Sequence, residues 1–404
     1  MGKTIYFIND YAGSRYHGME FRNYYYAKEF VKLGFTVYII SASYMHLFKK
    51  LPKVDSNFTE EKIDGINYIW VKVQNYGEST NKKRVLKWFT FTLKLLALPL
   101  KNMKKPDIVI ASPMAPFLTI PAYRLAKKFN AKFIYEVKDI WPLSIIELGN
   151  ISPSNPLIKA MSWCEKFGIE KSDLVVSSLQ NYGEHLKNLG VEKNFVWLNN
   201  GIDLDEMQKI EKLPSDVIDK LPKDKFIIGY TGTVGIANAL EYFCKAASLL
   251  QENKNIAFVI VGDGKLKEDL ENRYSNLENL YFINPIKKEQ VQSMLAYFDV
   301  CYIGLKQENL FKYGVSPNKL FDYMYSAKPI LYAINSGKSN IVKLANSGVS
   351  IQAESSKAIL NGILDLYNMT KNRRKELGIN GKMYVLENFT YEKLAKRYSK
   401  LFHV

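Results

Sequence analysis

Two successive doubly wound α/β domains, each a Rossmann-like parallel sheet flanked by helices, the pair facing each other across a cleft, are the fold this chain predicts. Three observations carry that expectation. A length of 404 residues exceeds what a single hydrophobic core usually fills, and favours two domains of roughly 200 residues each. Short apolar runs of strand length alternate with segments of helical period along almost the whole chain. The alternation breaks once, at Asn199-Asn200-Gly201-Ile202-Asp203 and the charged stretch with Pro214 and Pro222 that runs to Lys225, and then restarts.

In the first half, Thr4 to Asn9 reads as a buried strand. A glycine-containing loop follows, then a helix from about Glu20 to Leu33 stopped by Gly34, then a strand from Thr36 to Ser41. Ile108 to Ala111, the periodic stretch Pro121 to Phe129, Phe133 to Val137 and Leu174 to Ser177 continue the β-α-β pattern. In the second half the expected order is strand Phe226 to Tyr230, loop Thr231 to Gly235, helix Ile236 to Gln251, strand Ile256 to Val261, loop Gly262-Asp263-Gly264 and helix Lys265 to Arg273. Strands near Leu280 to Ile283, Val300 to Gly304 and Pro329 to Ala333 follow. Ligands of such sheets bind at the carboxyl ends of the strands.

Composition narrows the class. With 47% hydrophobic and 24% charged residues the chain sits near globular averages, so all of it is expected to fold. Cys164, Cys244 and Cys301 lack both the spacing of a zinc site and the even count of a disulfide framework, which suits a reducing cytoplasm. The opening apolar stretch is of strand length, shorter than a signal-peptide core, and Tyr6 stands where a myristoylation signal requires Ser or Thr. Nor does any uncharged run reach the length of a transmembrane helix. Fifty-six Lys and Arg against 40 Asp and Glu, a net charge of +16, attract polyanions: nucleic acid, phosphorylated substrates or anionic lipid.

The stretch Tyr313-Gly314-Val315-Ser316-Pro317-Asn318-Lys319-Leu320-Phe321-Asp322 carries the most chemistry. Ser-Pro-Asn predicts a helix starting near residue 317. Its first amide groups and positive dipole end suit a diphosphate, Lys319 adds a full charge, and Asp322, one turn on, is placed to accept from a ribose diol. An ordinary capped surface helix with Lys and Asp on its wet face fits the same residues.

This stretch resembles the nucleotide-sugar motif of the family 4 glycosyltransferases, especially the WbuB-like bacterial subgroup that builds surface polysaccharides. The resemblance covers most of the chain through four further motifs in order: Glu136-Val137-Lys138-Asp139-Ile140-Trp141-Pro142, Asn200-Gly201-Ile202-Asp203, Ile228-Gly229-Tyr230-Thr231-Gly232-Thr233-Val234-Gly235 and Val261-Gly262-Asp263-Gly264. It implies the GT-B fold: an acceptor-binding domain over 1–200, a nucleotide-sugar domain over 201–387, and a terminal helix in 388–404 packing back on the first domain. It also implies a retaining enzyme with a nucleotide-sugar donor as substrate and no separate cofactor. The expected donor is UDP-linked, an N-acetylated amino sugar among the candidates. The expected acceptor is a saccharide on a polyprenyl diphosphate, met at the inner face of a bacterial plasma membrane in O-antigen or capsule assembly.

Mapped residue by residue, Asp322 takes the place of the second glutamate of the family's two-glutamate signature, and Gly314 that of the first. The sugar must therefore be read by other groups. Relatives place an Arg and a Lys in the loop after the first strand of the second domain, whereas Gly232 to Leu240 contains no basic residue. Lys319, with Ser316, Pro317 and Asn318 at its helix start, is the leading candidate for the leaving phosphate, and Lys306 and Lys312 are weaker ones. Gly232 and Gly262 are expected beside the donor, as are Gly13 and Gly18 in the first loop of the N-terminal domain. Asp139, with Lys138 before it, is expected at the acceptor or the reacting centre; a turn-capping Asp before Trp141-Pro142 is the competing reading. Arg22 faces either the cleft or solvent, and His17 and His46 read as loop polar residues. Asp203-Leu204-Asp205 imitates a metal-binding Asp-X-Asp but overlaps a turn, so no metal is expected; fixed dipoles and lysines would then meet the charge of the leaving group.

Three rivals remain in view: a UDP-sugar 2-epimerase of the same architecture, a catalytically silent sugar-nucleotide binder, and a nucleic-acid-binding protein supported only by charge. One segment bears on location. Lys82 to Lys105 contains eight Lys or Arg and no acidic residue. Lys87, Lys94 and Lys101 recur every seven residues opposite a broad apolar arc of Val85, Leu86, Trp88, Phe89, Leu93, Leu95, Leu96 and Leu98. Such a helix either lies in an anionic membrane surface with its lysines at the head groups, or packs as plain core and ends before Pro99.

Overall fold

A computed structural model of the chain describes residues 2–18, 21–77, 81–337 and 340–403. It divides into two compact units, Met1–Asn200 with Tyr391–Val404, and Gly201–Thr390.

The first unit is built on eight strands: β1 (Thr4–Ile8), β2 (Thr36–Ala42), β3 (Phe58–Ile63), β4 (Ile66–Val71), β5 (Ile108–Ala111), β6 (Lys132–Val137), β7 (Leu174–Ser177) and β8 (Phe195–Trp197). Their order is β3-β4-β2-β1-β5-β6-β7-β8, parallel except where β3 returns antiparallel to β4. Every residue of β1 is buried, as a strand covered by helices on both faces requires. Sequence periodicity missed β3 and β4. They join through Asp64 and Gly65, both at positive φ, the conformation a two-residue hairpin turn demands. β3 exposes Glu60, Glu61 and Lys62, charges that guard an edge strand. The expected start of the first helix, Glu20, lies outside the described residues; the helix is described over Arg22–Lys32 and is followed by Gly34 at φ +87°.

The last helix, Tyr391–Lys400, packs on that first helix. Tyr391 meets Tyr25 and Tyr26, Tyr398 meets Tyr26 and Phe30, and Phe402 meets Phe30 and Phe35, all at ring-centroid distances of 4.7 to 5.7 Å.

The second unit carries β9 (Phe226–Thr231), β10 (Ile256–Val261), β11 (Leu280–Ile283), β12 (Val300–Gly304), β13 (Ile330–Ala333) and β14 (Gly348–Ser350), all parallel in the order β11-β10-β9-β12-β13-β14. The helix expected over Ile236 to Gln251 is interrupted. A 3-10 turn, Ile236–Asn238, gives way at Ala239, φ +48°, to the helix Leu240–Leu249. The break turns Asn238 back toward β9, where its Nδ2 donates to Thr233 O at 3.0 Å.

The basic segment departs from the expected lysine face. Its helix is Lys83–Leu95, so Lys101 lies beyond it. Lys87 is fully buried, donating to Asp10 Oδ2 at 2.8 Å and Asp10 O at 2.7 Å, with its Nζ 3.7 Å from the Tyr11 ring centroid. Lys94 donates to Asn57 Oδ1 and Lys72 O. The apolar arc is in fact two stripes. Trp88, Phe91 and Leu95 point into the core, while Leu86, Phe89, Leu93 and Leu96 are 40 to 64% exposed. Members of the two stripes stand two residues apart, about 200° around a helix, which puts them on opposite faces.

Arg22 does not face solvent. It is 3% exposed and donates to Glu136 Oε1, Leu198 O, Asn199 O and Asn200 Oδ1, while the fully buried Glu136 also accepts from Asn23 and Ser112. Removing one partner of such a pair strands the other charge in the interior. Arg22→Met is therefore expected to destabilise the first unit by about 3–5 kcal/mol, read from its transition in urea unfolding. The double variant Arg22→Met, Glu136→Leu is expected to recover part of that loss.

Candidate functional site

In each sheet the strand order reverses once, between β1 and β5 in the first unit and between β9 and β12 in the second. The carboxyl ends flanking a reversal leave a crevice that loops close over, and ligands of open α/β sheets settle there.

At the β9–β12 reversal the structure gathers Lys319, Gly232, Tyr230 and Asn238. Lys319 occupies the first turn of the helix Asn318–Tyr325, whose N-cap residue Pro317 supplies no side-chain cap. The helix starts where sequence placed it, because Pro317, at φ −70° and ψ 123°, sets the entry without needing an N–H. The Lys319 ammonium donates to Tyr230 Oη and to Asn238 Oδ1 at 3.1 Å, and lies 4.2 Å from the Tyr230 ring centroid. Burial pushes its pKa down to about 7. Among the described residues no carboxylate contributes to that shift; the partners of the half-buried amine are a phenol and an amide.

Gly232 makes room for it. At φ +134°, a Cβ added to Gly232 would stand 2.9 Å from Lys319 Nζ. Gly262 serves a different end: its added Cβ would lie 1.9 Å from Gly232 O, so its missing side chain lets the loops after β9 and β10 touch backbone to backbone. Val234 N donates to Asp263 O at 2.8 Å across the same seam. Gly314 ends the turn Asn309–Tyr313 at φ +105° and is buried; Ser316 is half-buried and Asn318 exposed.

Asp322, on the same helix, meets other partners. Burial raises its carboxyl to about 6; Lys288 lowers it and Glu206 raises it. Lys288 Nζ is itself 2.9 Å from Glu206 Oε2. Lys319 and Asp322 are thus neighbours along the helix that face different surroundings, β9 for one and the Glu206–Lys288 pair for the other. Of the two weaker candidates, Lys306 N donates to Ala237 O, next to Asn238, and Lys312 leans on Tyr313. Lys312 also lines a cavity of about 400 Å³ with Gln307, Glu308, Asn309, Asn335 and Glu354, beyond the carboxyl ends of β12, β13 and β14.

In the first unit, Lys138 is half-buried and Asp139 exposed just past the end of β6, and the Trp141–Pro142 peptide that follows is cis. The first-loop glycines are engaged with protein. Gly13 O accepts from Tyr68 Oη at 2.8 Å, and Gly18 bridges to Ser14 and Phe48. His17 is buried edge-on against Trp70, with burial holding its pKa below the ordinary value. Asp203 caps the helix Leu204–Met207, accepting from Glu206 N at 3.0 Å, a structural use of the first aspartate of Asp203-Leu204-Asp205.

Sequence reasoning missed Tyr230 and Asn238 as partners of Lys319, and the Glu206–Lys288 pair beside Asp322. Tyr230 stood inside a quoted motif, but nothing in a single sequence marks the fold-back of Asn238.

Comparison with known proteins agrees with this geometry. The family described as Glycosyltransferase Family 4 matches residues 16–206, and Glycosyl transferases group 1 matches residues 211–384. An uncharacterized glycosyltransferase of Methanocaldococcus jannaschii is 26% identical over 247 residues, 59% of this chain and 60% of that protein's length. Sucrose-phosphate synthase from Thermosynechococcus elongatus superposes with a TM-score of 0.74 at 15% identity, covering 99% of this chain and 98% of that one. The HepE protein of Anabaena, in complex with UDP, does so at 0.67 and 12% identity, covering 99% of both chains. With the two families spanning nearly all of a GT-B fold, the chain belongs to the family 4 glycosyltransferases.

Proposed function

We propose that the chain transfers a sugar from a UDP-linked donor to a lipid-linked saccharide acceptor, retaining the anomeric configuration and using no divalent metal, in the assembly of a bacterial surface polysaccharide. The observation that carries the donor half is the Lys319 amine held by Tyr230 and Asn238 at the β9–β12 reversal. A diphosphate placed there meets the ammonium and the uncapped first turn of the helix Asn318–Tyr325 together. HepE, a relative in fold, binds UDP, which supports uracil as the base; Asp322 would take the ribose diol. Asn309, Glu308 and Glu354 around the cavity beside β12 are the polar groups available to read sugar hydroxyls in place of the carboxylate that Gly314 lacks.

During transfer the bond from the anomeric carbon to the diphosphate breaks, and the acceptor oxygen bonds to that carbon on the same face. The acceptor's proton passes to the departing phosphate oxygen. Lys319 holds the charge that the diphosphate gains, a fixed electrostatic contribution rather than a proton transfer. Asp139, exposed after β6, orients the acceptor. Transfer with inverted configuration, seen by NMR of the product, or loss of activity in EDTA would overturn this mechanism. Asp139→Asn is expected to lower kcat while leaving donor affinity intact.

The depressed pKa of Lys319 makes donor affinity pH-dependent. In the free protein the amine is protonated below about 7 and neutral above it. A bound diphosphate favours the ammonium and raises that pKa, so binding above pH 7 takes up a proton. UDP affinity is therefore fully present below the free-state value and falls as pH rises through it, by up to about tenfold per pH unit. Calorimetry from pH 7 to 9 checks this, since the second phosphate ionisation, near 6, is then complete. Lys319→Arg, permanently charged, should abolish the fall, and Lys319→Ala or Asp322→Ala should weaken UDP by about 1.5–3 kcal/mol.

No helix among the described residues is long and apolar enough to cross a membrane. Attachment to a membrane surface would instead use the exposed stripe Leu86, Phe89, Leu93 and Leu96, in a segment whose only charges are basic. Replacing Leu86, Phe89 and Leu93 by Ser is expected to abolish flotation with vesicles containing anionic lipid and to leave the melting temperature unchanged. Lys87→Glu, by contrast, should unfold the first unit, because it sets a second carboxylate against buried Asp10.

A further inference from the structure

The two partners of the Lys319 amine are both fixed as acceptors. Tyr230 is fully buried, and burial raises its pKa well above the ordinary value, so the phenol keeps its proton. That proton goes to Thr233 O at 2.7 Å, which leaves Oη only lone pairs to offer Lys319. Asn238 is oriented by the same carbonyl: its Nδ2 donates to Thr233 O at 3.0 Å, and its Oδ1 accepts from the amine at 3.1 Å.

An ammonium has three N–H donors, whereas a neutral amine has two and a lone pair. Two acceptors therefore satisfy the neutral amine completely and the ammonium only in part. In the neutral form both hydrogens are engaged, and the lone pair takes the remaining position on the nitrogen. Burial works in the same direction, bringing the pKa down to about 7. At pH 8 only about 0.4% of a lysine with ordinary pKa is neutral, whereas most of Lys319 is. A lysine of this kind is a nucleophile. Gly232 lets the nitrogen reach its place, since a Cβ there would stand 2.9 Å from Nζ and 3.1 Å from Cε. Lys319 is half-buried, so the amine is positioned without being sealed off. An electrophile that itself carries a phosphate would be brought to this lone pair by the interactions proposed above to hold the donor diphosphate.

We propose that Lys319 is a site of acylation by acyl phosphates, and that the acyl group switches donor binding off. This rests on the reading of Lys319 as the diphosphate ligand, and adds a regulation of that site. The amine lone pair attacks the acyl carbon, a C–N bond forms, and the bond from that carbon to the phosphate oxygen breaks. Inorganic phosphate leaves with the electron pair and takes up the proton that the nitrogen loses. The amide so formed carries no charge, and its bulk lies where a diphosphate oxygen would approach.

The test incubates the full-length protein with acetyl phosphate at about pH 8, where the contrast in neutral fraction is large, and follows acetylation of each lysine by peptide mass spectrometry. Lys319 should react at least about tenfold faster than Lys306 and Lys312, because far more of it is neutral. Saturating UDP should slow Lys319 and leave the other two unmoved, and the acetylated protein should bind UDP at least about tenfold more weakly by calorimetry, the scale of one charged contact. Tyr230→Phe, which removes one acceptor, should slow Lys319, with the melting temperature reporting that the variant folds. Acetic anhydride, which brings no phosphate, should show a smaller preference for Lys319. Acetylation of Lys319 no faster than that of Lys306 and Lys312 overturns the proposal. So does an unchanged Lys319 rate in folded Tyr230→Phe, or a preference as large with acetic anhydride as with acetyl phosphate. Fast acetylation in a protein that does not bind UDP, or that UDP does not slow, counts against the proposed donor alone. UDP binding that depends on Lys319, together with slow acetylation, counts against this inference alone.

Discussion

A guanidinium and a carboxylate buried together organise the first unit. Arg22 and Glu136 meet where the carboxyl ends of β1, β5 and β6 and the exit from β8 come together, and each remaining lone pair or N–H of the pair goes to another segment: Asn23, Ser112, and the carbonyls of Leu198 and Asn199. Neither charge could be buried alone, since the desolvation of an unpaired ion exceeds what packing returns. The pair therefore dictates where the first helix starts, how β6 sits beside β5, and how the chain leaves the first unit toward Asn200.

The corresponding corner of the second unit is handled in the opposite way. Lys319 is half-buried, and it rests on a phenol and an amide instead of a carboxylate. Among the described residues no carboxylate balances its charge, and burial brings its pKa down to about 7. One reversal point is electrically closed and the other is electrically open. The open one is where the diphosphate is proposed to bind.

How much of this was legible in the sequence depended on what each residue's signal consisted of. Ile108 to Ala111, Leu174 to Ser177, Ile256 to Val261, Leu280 to Ile283 and Val300 to Gly304 are strands to the residue, because a strand buried on both faces reads as an uninterrupted apolar run. The hairpin of β3 and β4 was missed: its outer strand is Thr-Glu-Glu-Lys at the centre, and the Asp64-Gly65 turn outweighs composition only once both strands are considered. The lysine heptad misled because period says which residues share a helix face, and only packing says which way that face turns; Lys87 points inward because Asp10 waits there. Lys319 and Asp322 were visible as a motif, but their different surroundings were not, since Asn238, Glu206 and Lys288 arrive from distant segments. Gly13 and Gly18 had the signature of ligand approach; at Gly18, φ +103°, the glycine lets the first loop approach the segment at Phe48 and Lys49.

The second unit is an insertion within the first. The chain leaves the first unit at Asn200 and returns at Tyr391, and the two ends of the intervening segment are paired, Ile202 N donating to Phe389 O at 2.8 Å. Tyr25, Tyr26 and Phe30 form an aromatic seam with Tyr391, Tyr398 and Phe402. During synthesis on the ribosome, the segment made first therefore cannot finish folding until the segment made last has emerged. The second unit, contiguous in sequence, is complete before it. The usual order, in which the N-terminal domain matures first, is reversed, and the nascent first unit carries an uncovered aromatic face for as long as the second takes to be made.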